Sequence, residues 1–324
     1  MALTGQGAGE TEPLSLLYRG PLSSCNYACP YCPFAKRTES AEEHAADHAA
    51  LSRFVAWVAA QTRPLSVLFT PWGEALVRPR YQEALTVLSR LPHVEQVAIQ
   101  TNLSGSLGWL RDVERRKVGL WATYHPGEVT LARFLSRCAE LDALGARYSV
   151  GVVGRRSHFA AVAELRAALP QHIYLWVNAF KVGAAYYTPQ DLAFLGGIDP
   201  LFEVNTRRYA SRGQACAAGE RALSVDGDGT VRRCHFVARP LGNLYTQDLG
   251  DLLRPRPCTR ASCECHIGYV HLSALGAQEV YGPGLLARIP EGEAWAQPEA
   301  YLERARQLRV APVRLPRTEE TERV

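Results

Sequence analysis

The sequence predicts an α/β protein: a partial (β/α)6 TIM-type barrel followed by a small α+β domain. Three observations carry that prediction. From about residue 14 to 197, short apolar runs alternate with amphipathic stretches, the pattern of β/α units around a parallel sheet. Each apolar run is followed by a polar loop. Beyond residue 200 come a hairpin signature and a second group of cysteines.

The strands are read at 14–19 (LSLLYR), 65–70 (LSVLFT), 94–100 (VEQVAIQ), 118–123 (VGLWAT), 147–153 (RYSVGVV) and 172–178 (HIYLWVN), with helices over 43–61, 79–90, 129–144 and 157–169. In the third helix Leu131, Phe134, Leu135, Cys138, Leu141 and Leu144 fall on one face, which makes Cys138 a core residue. Six such repeats fit an open doubly wound sheet or an incomplete barrel. The strand ends favour the barrel: the cysteine loop, "PWGEAL", "TNLSG", "YHPGE", "GRRS" and "NAFK" each follow a strand, on the face where α/β barrels assemble active sites. Some of their Gly, Asn and Ser residues serve turns. Downstream, "CAAGERALSVDGDGTVRRC" reads as a hairpin, with a strand at 221–225, a turn at Asp226–Gly229 and a strand at 230–236. The chain thus divides into an N-terminal extension (1–13), a barrel (14–200), a second domain (201–275) and a C-terminal extension (276–324). That extension carries a helix near 298–309 and a charged end that covers the second domain or frays.

Length and composition bound the rest. At 324 residues and 47% hydrophobic, the chain buries one large core, or a large core and a smaller one. The opening "MALTGQGAGETEP" has no basic region leading into an apolar one, and no run of 18 apolar residues occurs. A cytoplasmic protein without a membrane partner is expected. The net charge is +4, and Arg outnumbers Lys 33 to 3, interleaved with acids throughout. No basic block argues for nucleic acid. Eight of the nine cysteines fall into two groups, Cys25, Cys29 and Cys32, then Cys216, Cys234, Cys258, Cys263 and Cys265. In a reducing compartment such groups are read as metal ligands or catalytic thiols.

The first group lies in "SSCNYACPYCPFAK", with spacing C-x3-C-x2-C. Three thiols on one loop point to a metal site with a vacant coordination position. A zinc site completed by His44 or His48 is the alternative, although zinc motifs usually carry CxxC pairs.

"CNYACPYC" after the first strand resembles the CxxxCxxC motif of the radical S-adenosylmethionine (SAM) superfamily, with the aromatic Tyr31 just before the last cysteine. The resemblance implies a [4Fe–4S] cluster held by Cys25, Cys29 and Cys32, whose fourth iron is chelated by the amino and carboxylate groups of SAM. Thiolates suit that soft cluster. "TPWGEAL" resembles the family's GGE motif, which receives the SAM amino group, with Trp72 in place of the first glycine before Gly73 and Glu74. Trp72 must then point away from the ligand or wall its pocket. Asn102 in "TNLSG", Thr123 or His125 near the ribose, Gly151 and Gly154 near the adenine, and Asn178 at the sixth strand complete the implied contacts. For His125, packing before Pro126 is an equal alternative. Together "CNYACPYCPFAK", "LFTPWGEAL" and "QTNLSG" look like a bacterial subgroup of the superfamily.

The C-x12-G-x4-C form from Cys216 to Cys234 resembles the opening of SPASM and twitch domains, and "LGNLYTQDLGDLL" their strand-turn-helix link. "CTRASCEC" adds Cys258, Cys263 and Cys265. Five cysteines rather than seven imply one auxiliary [4Fe–4S] cluster, as in a twitch-type domain. Cys216 and Cys234 fit on spacing, and Cys258, Cys263 and Cys265 compete for the remaining places, with one thiol left over. Structural zinc is the alternative here. His235, His266 and His271 are adjacent candidate ligands, with packing or second-layer roles favoured for each.

The resemblance implies reductive cleavage of SAM to a 5′-deoxyadenosyl radical, which abstracts hydrogen from a peptide, protein or small-molecule substrate. The auxiliary cluster would aid oxidation or bond formation. It also implies a reductant such as flavodoxin or ferredoxin. Only 24 residues precede Cys25, which leaves no N-terminal peptide-recognition domain and favours a small molecule, a folded protein or a separate recognition partner. The alternative function is an iron–sulfur electron carrier or a zinc-stabilised binding protein without radical chemistry.

Overall fold

The structure, a computed structural model, describes residues 13–34, 37–183 and 186–312. Residues 1–12 of the N-terminal extension and the charged end from 313 lie outside the described residues. The first two thirds run β1 (Leu14–Arg19), α1 (Ala41–Ala59), β2 (Leu65–Phe69), α2 (Pro79–Arg90), β3 (Val94–Thr101), β4 (Val118–Tyr124), α3 (Leu131–Ala143), β5 (Arg147–Val153), α4 (Phe159–Ala168), β6 (Leu175–Asn178) and α5 (Pro189–Ile198). Local chemistry sets these boundaries. Ser40 and Glu43 close a capping box on α1, and Pro79 opens α2 where its missing N–H costs nothing.

β1 to β6 pair in parallel and in chain order. A doubly wound sheet would reverse order at a switch point, so this is the barrel arrangement. Side-chain alternation sorts the strands into two cores. Leu16, Tyr18, Val67, Phe69, Val97, Ile99, Leu120 and Val150 meet the surrounding helices. Leu17, Leu68, Ala98, Trp121 and Trp176 point to the other face, into a cluster with Tyr209, Tyr269, Leu272 and Tyr281. Cys138 is buried in the helix-side core, as its spacing predicts.

The last third is α6 (Phe202–Thr206), β7 (Tyr209–Ala210), β8 (Ala222–Asp226), β9 (Thr230–Arg232), β10 (Pro240–Asn243), α7 (Leu249–Leu252), β11 (Ser262–Cys263), α8 (His266–Tyr269), α9 (Ala277–Tyr281) and α10 (Glu299–Gln307). β8 pairs in parallel with β1, Ser15 opposite Ala222, so the hairpin extends the barrel sheet rather than standing apart from it. The C-terminal extension does more than cover the second domain. Its turn Gly282–Ala287 lies against β2, β3 and β4, the Ala287 carbonyl accepts from Ser149 Oγ at 2.9 Å, and Arg147 pairs with Glu291. The segment fills the amino-terminal end of the barrel and leaves the carboxyl ends of the strands as its mouth. Among the described residues no helix is long and apolar enough to cross a membrane.

Candidate active site

Cys25, Cys29 and Cys32 sit on the loop that leaves the carboxyl end of β1. That loop is tied down on every side. Glu39 accepts from Ser23 N and Oγ (2.7 and 3.1 Å) and from Ser24 Oγ (2.5 Å), Glu128 from Ala28 N (3.0 Å), and Asn26 Oδ1 from Asn102 Nδ2 and Ser104 Oγ, both at 3.2 Å. Two amides point at sulfur: Tyr27 N at Cys25 Sγ and Phe34 N at Cys32 Sγ, each at 3.4 Å. Amide donors aimed at sulfur are the contacts that tune a thiolate-held cluster.

The loop after β2 zips onto the cysteine loop through Trp72 N to Leu22 O (3.2 Å) and Glu74 N to Ser24 O (3.1 Å). Gly73 lies between these bonds, where a Cβ would stand 1.8 Å from the Ser24 carbonyl oxygen. Trp72 needs no such room. Its indole faces the rim, with the Arg19 guanidinium 4.1 Å above the ring and Phe34 edge-on at 4.6 Å.

The Glu74 carboxylate is turned into the protein. It is 3% exposed and accepts from Thr101 Oγ1 (2.7 Å), Asn102 N (2.6 Å) and Leu76 N (3.0 Å). The carboxylate thus clamps the end of β3 to its own loop. Burial outweighs these three donors and pushes its pKa up to about 7.

His125, on the loop after β4, has Nδ1 2.9 Å from Tyr31 Oη and 3.4 Å from Cys29 Sγ. Burial, then His158, lowers its pKa to about 4, so the neutral ring serves the cysteine loop. Thr123 is half-buried in register with Gly151. The space beside Gly151 is filled by the Trp176 indole, which a Cβ would meet at 2.0 Å, and that beside Gly154 by Tyr187 Oη and Val177 at 2.8 Å. Both glycines therefore have a packing reason beyond any ligand. Asn178 is exposed on the rim, and its carbonyl accepts from Gly154 N.

Motif reading passed over a cleft of about 220 Å³ beside the cysteine loop, lined by Tyr27, Asn102, Ser104, Arg133 and Arg137. Arg137 is bonded to Leu103 O, Gly105 O and Glu140. Arg133 has no carboxylate partner among the described residues, and only a one-turn spacing from Val129 could have pointed to it.

The five later cysteines line one partly open cavity of about 90 Å³, walled by Phe236, Gly268 and Leu272. Separate backbone pairings bring them there: Cys216 bridges to Leu272, Cys258 N bonds Gln214 O, and Cys263 lies on β11 against Tyr209 of β7. Burial raises the thiols of Cys216, Cys234 and Cys263. Cys263 feels Cys234, Cys216 and Cys258 ahead of Cys265. Cys265 lines the same cavity and is the one of the five that is exposed to solvent. His235 spends both ring nitrogens on Thr70 and Ser224, while His266 and His271 are buried. Among the described residues no three His, Cys, Asp or Glu side chains come close enough to hold a single metal ion.

No family model matches the chain, and no curated protein matches it in sequence. Solved structures do match in fold. Histidine-tagged anSMEcpe with bound AdoMet is 16% identical at TM-score 0.51, over 74% of this chain and 77% of that one. SuiB of Streptococcus suis is 15% identical at TM-score 0.51, over 74% of this chain and 65% of that one. Both are radical SAM enzymes, and this chain shares their partial TIM-type barrel fold.

Proposed function

We propose that this protein is a radical SAM enzyme with one auxiliary cluster. The observation that carries the reading is the Cys25–Cys29–Cys32 loop, braced at the mouth of a parallel barrel with amides aimed at two sulfurs and the Gly73 loop zipped beside it. A cluster bound by these thiols would supply the electron that splits SAM into methionine and a 5′-deoxyadenosyl radical, which takes hydrogen from the substrate. The chain's own residues supply position and charge. The backbone at Trp72 and Gly73 is offered to the SAM amino group, with Glu74 holding that loop in shape. Arg133 and Ser104 offer a cation and a hydroxyl to its carboxylate. Thr123, His125 and Asn178 complete the polar rim on which the ribose and adenine would rest.

The auxiliary cluster is assigned to Cys216, Cys234, Cys258 and Cys263, which leaves Cys265 free beside Lys181 and Arg19. Substrate is a peptide, protein side chain or small molecule entering past Phe34, Trp72 and Val182, which are exposed. A flavodoxin or ferredoxin serves as reductant. Anaerobic reconstitution tests the assignment. The expected result is about eight irons, four per cube, and a reduced-cluster EPR signal of which one component changes on adding SAM. Zinc as the sole metal, or a signal indifferent to SAM, would refute it.

A further inference from the structure

Arg233 precedes Cys234 at the end of β9 and is 3% exposed. One of its nitrogens, Nη1, donates to the Pro257 carbonyl, which holds the approach to Cys258. Nε and Nη2 have no oxygen or nitrogen partner, the guanidinium lies within reach of the Cys216 thiol, and no carboxylate pairs with it among the described residues. A buried cation without a counter-charge is strongly unfavourable, so one belongs beside it. The neighbouring space is the thiol-lined cavity, of which Arg233 is itself a wall. Arg233 is also the one cation among the main influences on the thiols of both Cys216 and Cys234.

Resting on the two-cluster reading, we propose that Arg233 is the built-in counter-ion of the auxiliary cluster and holds its reduction potential up. A cube with four thiolates is an anion, and its reduced form carries one more negative charge, so a fixed cation favours reduction. Cluster potentials respond to charge and hydrogen bonding of this kind. Arg233 is a positioning residue: it acts through the cluster.

The test is an EPR-monitored redox titration of full-length reconstituted holoprotein, with SAM used to identify and set aside the barrel signal. Arg233→Gln should keep about eight irons. At a fixed potential its auxiliary reduced-to-oxidised ratio should fall at least tenfold, about 59 mV for a one-electron couple. Arg233→Lys keeps the charge and should stay within about threefold of the parent ratio. Loss of the cluster from Gln but not from Lys would also support a counter-ion. An unchanged ratio in a fully loaded Gln variant overturns the proposal, as does equal loss from both variants, which would make the side chain a matter of shape. If the parent protein holds only about four irons, the two-cluster reading falls first and this inference with it.

Discussion

Gly73→Ala should undo the meeting of the two loops that build the barrel site. The new Cβ would lie 1.8 Å from Ser24 O and 2.5 Å from Ser24 C. Carbon and carbonyl oxygen approach to about 3.3 Å, so the loops must part by roughly 1.5 Å. That stretches Trp72 N to Leu22 O (3.2 Å) and Glu74 N to Ser24 O (3.1 Å) beyond hydrogen-bonding range. Each backbone N–H left unpaired costs about 1–3 kcal/mol, so the two N–H groups together account for about 2–6 kcal/mol. Urea denaturation of the apoprotein should show a loss of that size, and iron uptake at the Cys25 loop should fall with it. Trp72→Ala is the control. Its indole stacks with Arg19 on an open rim, a contact worth about 0.5–1 kcal/mol. A Gly73→Ala protein with the parent midpoint and full iron would refute the reasoning.

Glu74 gives a pH signature. Its folded pKa is raised, from 4.5 to about 7, so its stabilising contribution is complete below about 4.5 and lost as pH rises through 7; at 1.36 kcal/mol per pH unit this is worth about 3 kcal/mol. The stability of the parent relative to Glu74→Gln should therefore fall by that order between pH 4.5 and 8, and a flat difference in denaturation curves would contradict the burial. Arg133→Ala should weaken SAM binding about tenfold in calorimetry with iron content intact, the value of one charge-assisted contact; unchanged affinity would place the SAM carboxylate elsewhere. Cys263→Ser should cost the second cluster while Cys265→Ser retains it, read by iron and sulfide analysis. The reverse pattern would exchange their roles.

The barrel was legible because its signals are local. β1 and β5 begin and end where the alternating apolar runs do, and α2 occupies 79–90 as read, with Pro79 at its start. The cysteine loop announced itself by spacing. What stayed hidden depends on partners far apart in the chain. Nothing in Ala222–Asp226 tells that it pairs with Leu14–Arg19, some 200 residues earlier in the chain. Glu39 and Arg233 look like ordinary charged loop residues until their burial is known. For Glu74 the sequence shows only its motif position, and the partners of its carboxylate, Thr101, Asn102 and Leu76, are read from the fold. The C-terminal plug was unreadable because its helices are too short for a clear period.

The most direct test of the central claim is anaerobic incubation of reconstituted protein with SAM and a strong reductant, with 5′-deoxyadenosine and methionine measured by chromatography. The protein should form both in equal amounts, and a variant with Cys25, Cys29 and Cys32 all changed to Ala should form neither while keeping the second cluster. A fully iron-loaded parent protein that leaves SAM intact, or a triple variant that still cleaves it, would contradict the assignment of radical chemistry to this loop.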